Sequence, residues 1–441
     1  MLHDTIVAIS TALSEGAISI VRMSGDRAIE IADELFDRDL SKAKANTITY
    51  GNIIDNNEVV DEVLISIFRA PKSYTCEDLV EINCHGGVYV TRTILSLCLS
   101  KGARMARPGE FTERAFLNGR IDLTQAEGVQ SLVEARDNRH ARSAISGLKG
   151  SVTKLIEPLR EELIQIIANI EVNIDYPEYQ DVEVLSQETI LPLTKQWVNK
   201  MEELVRKAQN SYQVLKGIDT VILGKPNVGK SSLLNALLEE DKAIVTDIAG
   251  TTRDLVEGTV VLENITLNLI DTAGIRDTSD KVEKIGIERS LAALDKAELV
   301  IVVLDANAEL DQEDQELLDK TKDMNRIVVY NKDDDNVFDK GIRISALHGD
   351  VSELVEAINE RYKEAIADSN ESSLNSERQI ALAKAALASM KNAVSLLEQG
   401  VELDLVTLDL QEAYNALTDI LGQSSRDDLL DNMFSRFCLG K

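Results

Sequence analysis

One loop-forming stretch, Gly224–Ser231 (GKPNVGKS), constrains the fold of this 441-residue chain more than any other feature. It matches the pattern G-x-x-x-x-G-K-[ST], whose glycines let backbone N–H groups wrap phosphates. The strand-like run Ile218–Leu223 precedes it, and Ser232–Glu240 follows it with a helical pattern. Because strand, loop and helix stand in the required order, the sequence predicts a parallel α/β unit with a phosphate site.

The side chains of this loop have distinct expected tasks. Lys230 would reach the β- and γ-phosphates of a nucleotide and contribute to catalysis, and Ser231 would ligate Mg²⁺. The residues of the loop and helix start that we predict to contact the nucleotide are Asn227, Val228, Gly229, Lys230, Ser231 and Ser232.

Two later motifs indicate which base is bound. Asn331-Lys332-Asp333-Asp334 follows the strand-like run Ile327–Tyr330 and resembles the base-reading N-K-x-D motif of the GTPase superfamily. Asp334 would accept hydrogen bonds from guanine N1–H and N2–H₂, a donor pair that adenine lacks. Ser345 and Ala346 stand where the same superfamily has its last guanine contact. The predicted nucleotide is GTP, and its base-site residues are Asn331, Lys332, Asp334, Ser345 and Ala346.

Two further segments, the first and second switch, are expected to sense the γ-phosphate. Thr252 in the first switch is the predicted second protein ligand of Mg²⁺. The second switch follows the strand-like run Thr266–Ile270, where an Asp can hold Mg²⁺ through water. The predicted nucleotide contacts are Thr246, Asp247, Ile248, Ala249, Gly250, Thr251 and Thr252 in the first switch, and Asp271, Thr272, Ala273 and Gly274 in the second.

Position 275 carries an isoleucine where Ras-like proteins have a water-orienting glutamine. Because Ile275 cannot hydrogen-bond a water, hydrolysis is either slow or uses another polar group. The candidates in the same segment are Arg276, Glu283 and Glu288.

The charge balance limits how the chain can contact nucleic acid. It carries 47 Lys and Arg against 76 Asp and Glu, a formal charge of −29, which excludes blanket coating of RNA or of an anionic membrane. Its 1 Trp, 9 Tyr and 7 Phe are too few for a module that stacks many bases. Residues 101–150 are locally basic, and Arg136, Arg139 and Arg142 form either a phosphate-contacting surface or a solvated helix face.

The four cysteines have neither a disulfide framework nor zinc-site spacing. Cys84-His85 is either a metal pair or part of a turn before Gly86-Gly87, and the turn is favoured. We expect no signal peptide, because Met1–Asp4 is not a basic region followed by an apolar core. We also expect no membrane association, since the apolar run Leu299–Leu304 is too short to span a bilayer. The expected location is the cytoplasm.

Pattern changes along the chain predict a multidomain α/β protein. Residues 1–117 mix strand-like and helical stretches, residues 118–216 are helical, residues 217–366 alternate strand and helix, and residues 367–441 are helical again. The economical interpretation is an N-terminal α+β domain and an all-helical domain split in sequence by an inserted P-loop α/β domain. The strand-like runs of the first segment are Ile6–Ile9, Ala17–Arg22, Glu62–Arg69 and Leu79–Asn83.

Together these motifs resemble the MnmE (TrmE) family of tRNA modification GTPases over essentially the whole chain. Besides the phosphate loop, the segments that carry the resemblance are Asn83–Gly87 (NCHGG), Ile174–Glu178 (IDYPE), Ala249–Asp254 (AGTTRD), Val282–Arg289 (VEKIGIER) and Phe437–Lys441 (FCLGK). The resemblance implies a Ras-like G domain of the TrmE-Era-EngA type and an N-terminal domain that binds folate and forms a homodimer. It also implies a heterotetramer with MnmG, a flavin- and NADH-dependent partner, that modifies C5 of the wobble uridine (position 34) of certain tRNAs.

The same resemblance implies hydrolysis activated by potassium, with G domains that pair across the nucleotide. Asn227 matches the family residue whose side chain helps to hold K⁺, and Thr246, Ile248 and Thr251 match the loop that supplies further oxygens. The cation would stand where other GTPases use an arginine finger. Glu283 matches the residue held to orient the attacking water through a second water.

A folate site is also implied by the resemblance. Arg22, Glu81, Arg120 and Lys441 match residues that contact 5-formyltetrahydrofolate or a related folate, the one-carbon donor. A carboxylate suits the pteridine amino and ring N–H groups, and cations suit the glutamate tail. Relatives have Lys at position 120 and Gly at position 76; Arg120 keeps the charge, whereas Cys76 tightens a turn.

Three functions stay open at this point. The leading one is GTP hydrolysis that drives wobble-uridine modification, in which Cys438 is either a catalytic nucleophile or acid, or a small residue packed at a helix end. The alternatives are a ribosome-assembly GTPase acting as an RNA-binding switch and a signalling scaffold whose N-terminal domain serves only dimerisation. An RNA-binding appendage would indicate the ribosome-assembly GTPase, and folate binding would exclude the signalling scaffold.

Overall fold

The computed structural model describes residues 4–135, 138–175, 187–239, 256–262, 265–270, 294–333, 341–369 and 373–423, together with residues 433, 434, 437 and 440. Its contacts divide the chain into two compact units. The first combines residues 1–134, 147–153 and 415–441, and the second combines residues 135–146 and 154–414.

The first unit is built on a six-stranded sheet in the order β3-β4-β5-β2-β1-β6. Neighbouring strands are antiparallel except β1 and β6, which are parallel. The strands are β1 (Ile6–Ile9), β2 (Ile18–Ser24), β3 (Thr47–Asp55), β4 (Glu58–Phe68), β5 (Leu79–His85) and β6 (Arg104–Met105). The helices are α1 (Ala28–Leu35), α2 (Val88–Ser100), α3 (Glu110–Leu117) and α4 (Leu123–Glu134).

Alternation along the strands decides which face of this sheet is buried. In β4, Val63, Ile65 and Ile67 are buried in the core with residues of α1 and α2, whereas Leu64 points to the opposite, open face. The four strand-like runs of the sequence correspond to β1, β2, β4 and β5. β3 and β6 were not predicted, because β3 contains Gly and Asn, which are depleted from strands, and β6 has two residues.

The long helices confirm the helical pattern on both sides of residues 217–366. Their bounds are α5 (Asn138–Leu148), α6 (Ser151–Asp175), α7 (Gln187–Lys216), α12 (Glu377–Glu398) and α13 (Leu403–Leu421). Trp197 of α7 is buried, and its indole N–H donates to the Leu159 carbonyl of α6 at 2.8 Å. By length and composition α12 could span a membrane, with a mean hydropathy of 1.3. It packs along α7 in the second unit, where Lys391 pairs with Glu202, as expected of a helix in a bundle core.

The inserted unit contains a second six-stranded sheet in the order β12-β11-β10-β7-β9-β8. All its pairs are parallel except β8 with β9. The strands are β7 (Ile218–Leu223), β8 (Val256–Val261), β9 (Thr266–Ile270), β10 (Leu299–Asp305), β11 (Arg326–Asn331) and β12 (Ile342–Ile344). The helices are α8 (Lys230–Glu239), α9 (Gln312–Lys320), α10 (Ser352–Arg361) and α11 (Lys363–Asp368).

This strand order, with one antiparallel edge strand, is that of a Ras-like P-loop domain. It confirms the predicted fold class, since the α/β unit lies in sequence between α7 and α12 of the helical part. The carboxyl ends of β7, β10, β11 and β12 meet at one edge, which is where ligands bind in open parallel sheets. The boundaries at residues 117, 216 and 366 stay predictions.

Candidate functional site

The phosphate loop joins β7 to α8, as the sequence predicts. Gly229 has a φ of +95°, and a Cβ there would lie 2.1 Å from Asn331 Nδ2. Only glycine tolerates both the left-handed backbone and so close an approach. The loop therefore packs directly on the end of β11, and α8 begins at Lys230, so that a helix N-terminus, which attracts anions, follows the loop.

Three polar side chains of this loop are placed for phosphate and cation binding. The Lys230 ammonium donates to the carbonyls of Gly224 at 2.8 Å and Lys225 at 2.7 Å, so it lies over the loop that would hold the phosphates. Ser231 is exposed in the first turn of α8, where its hydroxyl could ligate Mg²⁺. Asn227 is exposed with a φ of +62°, and its amide oxygen could join a monovalent cation.

Asn331 connects the predicted phosphate and base segments. Its Nδ2 donates to the Val228 carbonyl at 2.8 Å, and its Oδ1 accepts from the Ala346 N–H at 3.0 Å. With only 2% of its surface exposed, this amide holds the phosphate loop, β11 and the Ser345-Ala346 turn together. The structure thus assembles three motifs that are separate in the sequence.

The base-side lysine is also held in place. Lys332 has a φ of +71°; its Nζ lies 2.7 Å from Asp305 Oδ2, and its carbonyl accepts from Asn307 Nδ2 at 2.7 Å. Burial raises the pKa of Asp305, but hydrogen bonds from Lys332 and from the Asn307 N–H outweigh it and lower that pKa. Asp305 is therefore ionised and paired.

Sequence reasoning missed several residues that contact the phosphate and base segments. They are Lys225, Asp305, Asn307, Asp311 and Asp314. The Lys225 ammonium lies 2.6 Å from Asp311 Oδ2 and 2.7 Å from Asp314 Oδ2. No motif marks these acidic residues, although Asp311 and Asp314 have the spacing of a helix N-cap and its third residue.

Several predicted site residues lie outside the described part of the chain. Their placement is not part of the structure, and their roles stay predictions. They are the catalytic candidates Glu283 and Cys438, the first switch residues 246–252, the second switch residues 271–276 and Glu288, the base-reading Asp334, the folate candidate Lys441, and Arg136.

A second cluster lies on the open face of the first sheet. Arg22 on β2 and Glu81 on β5 are register partners; Arg22 Nε and Nη2 lie 2.9 and 2.7 Å from Glu81 Oε1. Arg22 Nη1 also donates to the Gly440 carbonyl at 3.0 Å, and Ser10 Oγ donates to the same oxygen at 3.1 Å. The residue before Lys441 is thereby tied to Arg22, one of the predicted folate contacts.

Tyr74 completes this cluster, and sequence reasoning gave it no role. Its ring centroid lies 5.8 Å from the Arg22 guanidinium carbon and 4.5 Å from that of Arg120. The Tyr74 hydroxyl shares a 2.9 Å hydrogen bond with Thr112 of α3. The structure thus gathers Arg22, Glu81 and Arg120 around one aromatic ring, which offers a planar ligand both stacking and charge.

The loop that carries Tyr74 is fixed by buried polar contacts. Glu77 Oε2 accepts from Ser24 Oγ at 2.8 Å and lies 3.1 Å from Nη1 of Arg114, which is 1% exposed. Cys76 in the same loop has a φ of +61°. This left-handed conformation explains why glycine suits the position and why the turn is tight.

Cys84 and His85 do not form a metal pair. The Cys84 thiol is buried and donates to the Ser19 carbonyl at 3.3 Å; burial raises the pKa of this thiol. His85 Nδ1 instead lies 2.7 Å from Asp61 Oδ1, and Asp61 also accepts the His85 N–H. Within the described ranges, no group of three or more His, Cys, Asp or Glu residues could hold a metal.

The Ras-like sheet, the phosphate loop at the end of its first strand and the asparagine that joins it to the base segment define a P-loop GTPase. Two family models match the chain: the GTP-binding protein TrmE N-terminus over residues 5–120, and the MnmE helical domain over residues 123–438.

Curated relatives match over nearly the full length. The tRNA modification GTPase MnmE of Streptococcus gordonii is 47% identical, with 99% of each chain covered. That of Lactococcus lactis subsp. cremoris strain MG1363 is 47% identical, with 99% of this chain and 98% of the relative covered. Among solved structures, a variant of Aquifex aeolicus Era bound to GDP·AlF4⁻ is 25% identical over 40% of this chain and 67% of that chain, with a TM-score of 0.24.

The chain belongs to the MnmE family of tRNA modification GTPases. It is therefore a GTP-binding enzyme that couples GTP hydrolysis to tRNA modification. Of the three kinds of protein that the sequence left open, the family supports a tRNA-modifying GTPase.

Proposed function

We propose that this chain is a potassium-activated GTPase that acts with a flavin- and NADH-dependent partner, MnmG, at C5 of the tRNA wobble uridine. A folate one-carbon unit would be incorporated to give an aminomethyl-type uridine. The observation that carries the proposal is the cluster of Arg22, Glu81, Arg120 and the Gly440 carbonyl around Tyr74. A GTPase that served only as a switch would have no use for such a cluster outside its G domain.

The residues of the phosphate loop account for GTP binding and part of its hydrolysis. Lys230 would leave its loop carbonyls for the β- and γ-phosphates, and Ser231 with Thr252 would hold Mg²⁺. K⁺ held by Asn227, Thr246, Ile248 and Thr251 would supply positive charge beside the β–γ bridge. Glu283 would orient the attacking water, because Ile275 cannot.

The chemistry of the second cluster suits a reduced folate. Glu81 can accept hydrogen bonds from the amino and ring N–H groups of a pteridine, and Tyr74 offers it an aromatic face. Arg22, Arg120 and Lys441 would bind the carboxylates of the glutamate tail. Cys438 would act on the uridine as a nucleophile or acid.

The open face of the first sheet supports dimerisation through the N-terminal domain. Ile18, Ile48, Tyr50 and Leu64 are exposed on this side, and such apolar side chains are more often found where a partner covers them. tRNA binding would use local basic groups, and Arg142 on α5 is exposed. The proposed domains are residues 1–117, 118–216, 217–366 and 367–441, and the proposed location is the cytoplasm.

Mass spectrometry of tRNA nucleosides tests this function. A strain that lacks the chain should lose the modified wobble uridine, and the wild-type gene should restore it. Arg22→Ala should not restore it, whereas Arg27→Ala, which removes an exposed pair with Glu30 in the same domain, should. Full restoration of the modified uridine by Arg22→Ala would show that the folate cluster is not needed for the reaction.

A further inference from the structure

Residues 305–314 bring three carboxylates to the two loops of the nucleotide site. This segment runs from the end of β10 into the start of α9. Asp305 pairs with Lys332 of the base loop, and Asp311 and Asp314 pair with Lys225 of the phosphate loop. In the pattern G-x-x-x-x-G-K-[ST] position 225 is unspecified, so the motif assigns this lysine no task.

Lys225 connects these carboxylates to the phosphate-binding lysine. Its ammonium lies within 2.7 Å of one oxygen of each aspartate, and its carbonyl accepts the Lys230 ammonium at 2.7 Å. Only 19% of the Lys225 side chain is exposed. Lys225 thus contacts both aspartates and also Lys230, whose ammonium would contact the β- and γ-phosphates.

The structure of α9 keeps both aspartates in this position. Asp311 is the N-cap, and its Oδ1 accepts from the Asp314 N–H at 3.1 Å. In return Asp314 Oδ2 accepts from the Asp311 N–H at 3.2 Å, which completes a capping box. Both side chains therefore cap the helix, and the helix dipole favours their negative charge at this position.

A nucleoside triphosphate adds several negative charges at the same loop. Like charges within about 10 Å repel each other appreciably where protein displaces water. A lysine between the phosphate loop and the capping box would reduce this repulsion.

We propose that Lys225 is a positioning residue for the nucleotide: it offsets part of the negative charge of Asp311 and Asp314, which would otherwise repel the phosphates of GTP or GDP from the loop more strongly. The capping box of α9 and the phosphate loop then form one electrostatically coupled unit. Nucleotide binding should therefore depend on a positive charge at position 225 and not on the shape of the side chain there.

Charge rescue in the full chain tests this proposal, with a fluorescent GDP analogue, mant-GDP, as the probe. Lys225→Met should weaken mant-GDP binding about tenfold at low ionic strength. Lys225→Arg should bind as the wild type does. The triple variant Lys225→Met with Asp311→Asn and Asp314→Asn should recover most of the affinity, because asparagine still caps the helix without carrying charge. The defect of Lys225→Met should also shrink in 0.5 M salt.

Two further variants separate charge from folding. Asp311→Asn with Asp314→Asn, in the presence of Lys225, should not weaken binding, and this variant does not depend on Lys225→Met being stable. Lys200→Met, which breaks the exposed pair with Glu162 between α7 and α6, is the matched control and should change nothing. Wild-type affinity of Lys225→Met, or a triple variant as weak as the single one, would overturn the proposal.

Discussion

Arg22 and Glu81 face each other across β2 and β5, and two guanidinium nitrogens of Arg22 contact the same carboxylate oxygen. The third, Nη1, binds the carbonyl of Gly440, which is 418 residues away in sequence. The pair thus connects the sheet to the end of the chain.

Neutralising Glu81 should impair the folate site without disturbing the sheet. Glu81→Gln keeps an acceptor for Arg22 but loses the charge that would bind the pteridine N–H groups. We expect 5-formyltetrahydrofolate to bind about tenfold more weakly, as measured by calorimetry, since hydrogen bonds to charged groups are the stronger ones. Glu30→Gln, from the exposed pair with Arg27, is the control; equal affinities of the two variants would separate Glu81 from the ligand.

The end of the chain should be sensitive to one methyl group. Gly440 has a φ of +90°, and a Cβ there would lie 2.6 Å from the Ile9 carbonyl oxygen. Gly440→Ala should displace Lys441 and weaken folate binding while GTP turnover persists. Gly400→Ala is a matched control, because Gly400 has a φ of +74° but no atom within 4 Å of its added Cβ. Unaltered folate affinity of Gly440→Ala would show that the end of the chain is not part of the pocket.

The sequence pattern identified members of this second site but not its centre. Arg22, Glu81 and Arg120 could be named only by resemblance to the family, which extends over essentially the whole chain. Tyr74 could not, since its role depends on where α3 and the loop held by Glu77 and Arg114 place the ring. Such contacts depend on the packing of distant segments, on which local patterns carry no information.

The phosphate loop should tolerate no side chain at its second glycine. In Gly229→Ala the left-handed backbone costs roughly 1–2 kcal/mol, and the new methyl group displaces Asn331 from the Val228 carbonyl. We expect GTP and GDP binding to fall at least about tenfold in a fluorescence titration. Gly258→Ala in β8, with no atom within 4 Å of the added Cβ, should bind nucleotide normally. Nucleotide affinity unchanged by Gly229→Ala would contradict the contact between loop and β11.

The inserted domain was the most predictable part of the fold. Runs rich in apolar and β-branched residues favour strands, and β7 and β9 have the bounds that the sequence indicated. The phosphate and base motifs could be named because backbone geometry fixes their spacing. The Lys225 contacts could not, since Asp311 is 86 residues away and lies in a helix cap that resembles any other.

The pair of His85 and Asp61 should make the stability of the first unit depend on pH. The hydrogen bond and charge of Asp61 raise the pKa of His85 above its usual 6.5. The stabilisation is therefore complete below about pH 6.5 and is lost as the pH rises through the raised pKa of the folded state. An NMR titration should place the pKa of His85 above that of an unfolded histidine, and Asp61→Asn should return it. A pKa of His85 that is the same in both proteins would exclude the pair.

The central claim is that a monovalent cation at Asn227 supplies the transition-state charge that an arginine finger supplies elsewhere, because the phosphate loop Gly224–Ser231 contains no arginine. Arginine fingers contribute about 10³–10⁵ in rate, so a cation with part of that task should matter by at least about tenfold. The exposed amide of Asn227 and its left-handed backbone at the loop surface are consistent with this role.

GTP turnover in matched KCl and NaCl, at several protein concentrations, tests this claim most directly. The rate should be at least about tenfold higher in K⁺ and should rise with protein concentration, because the proposed mechanism pairs two G domains across the nucleotide. Asn227→Ala should abolish the K⁺ response, whereas Asn392→Ala, from an exposed contact with Asp409 between α12 and α13, should keep it. Glu283→Ala should slow turnover with little loss of GTP affinity. Equal rates of the wild-type chain in KCl and NaCl would contradict the mechanism.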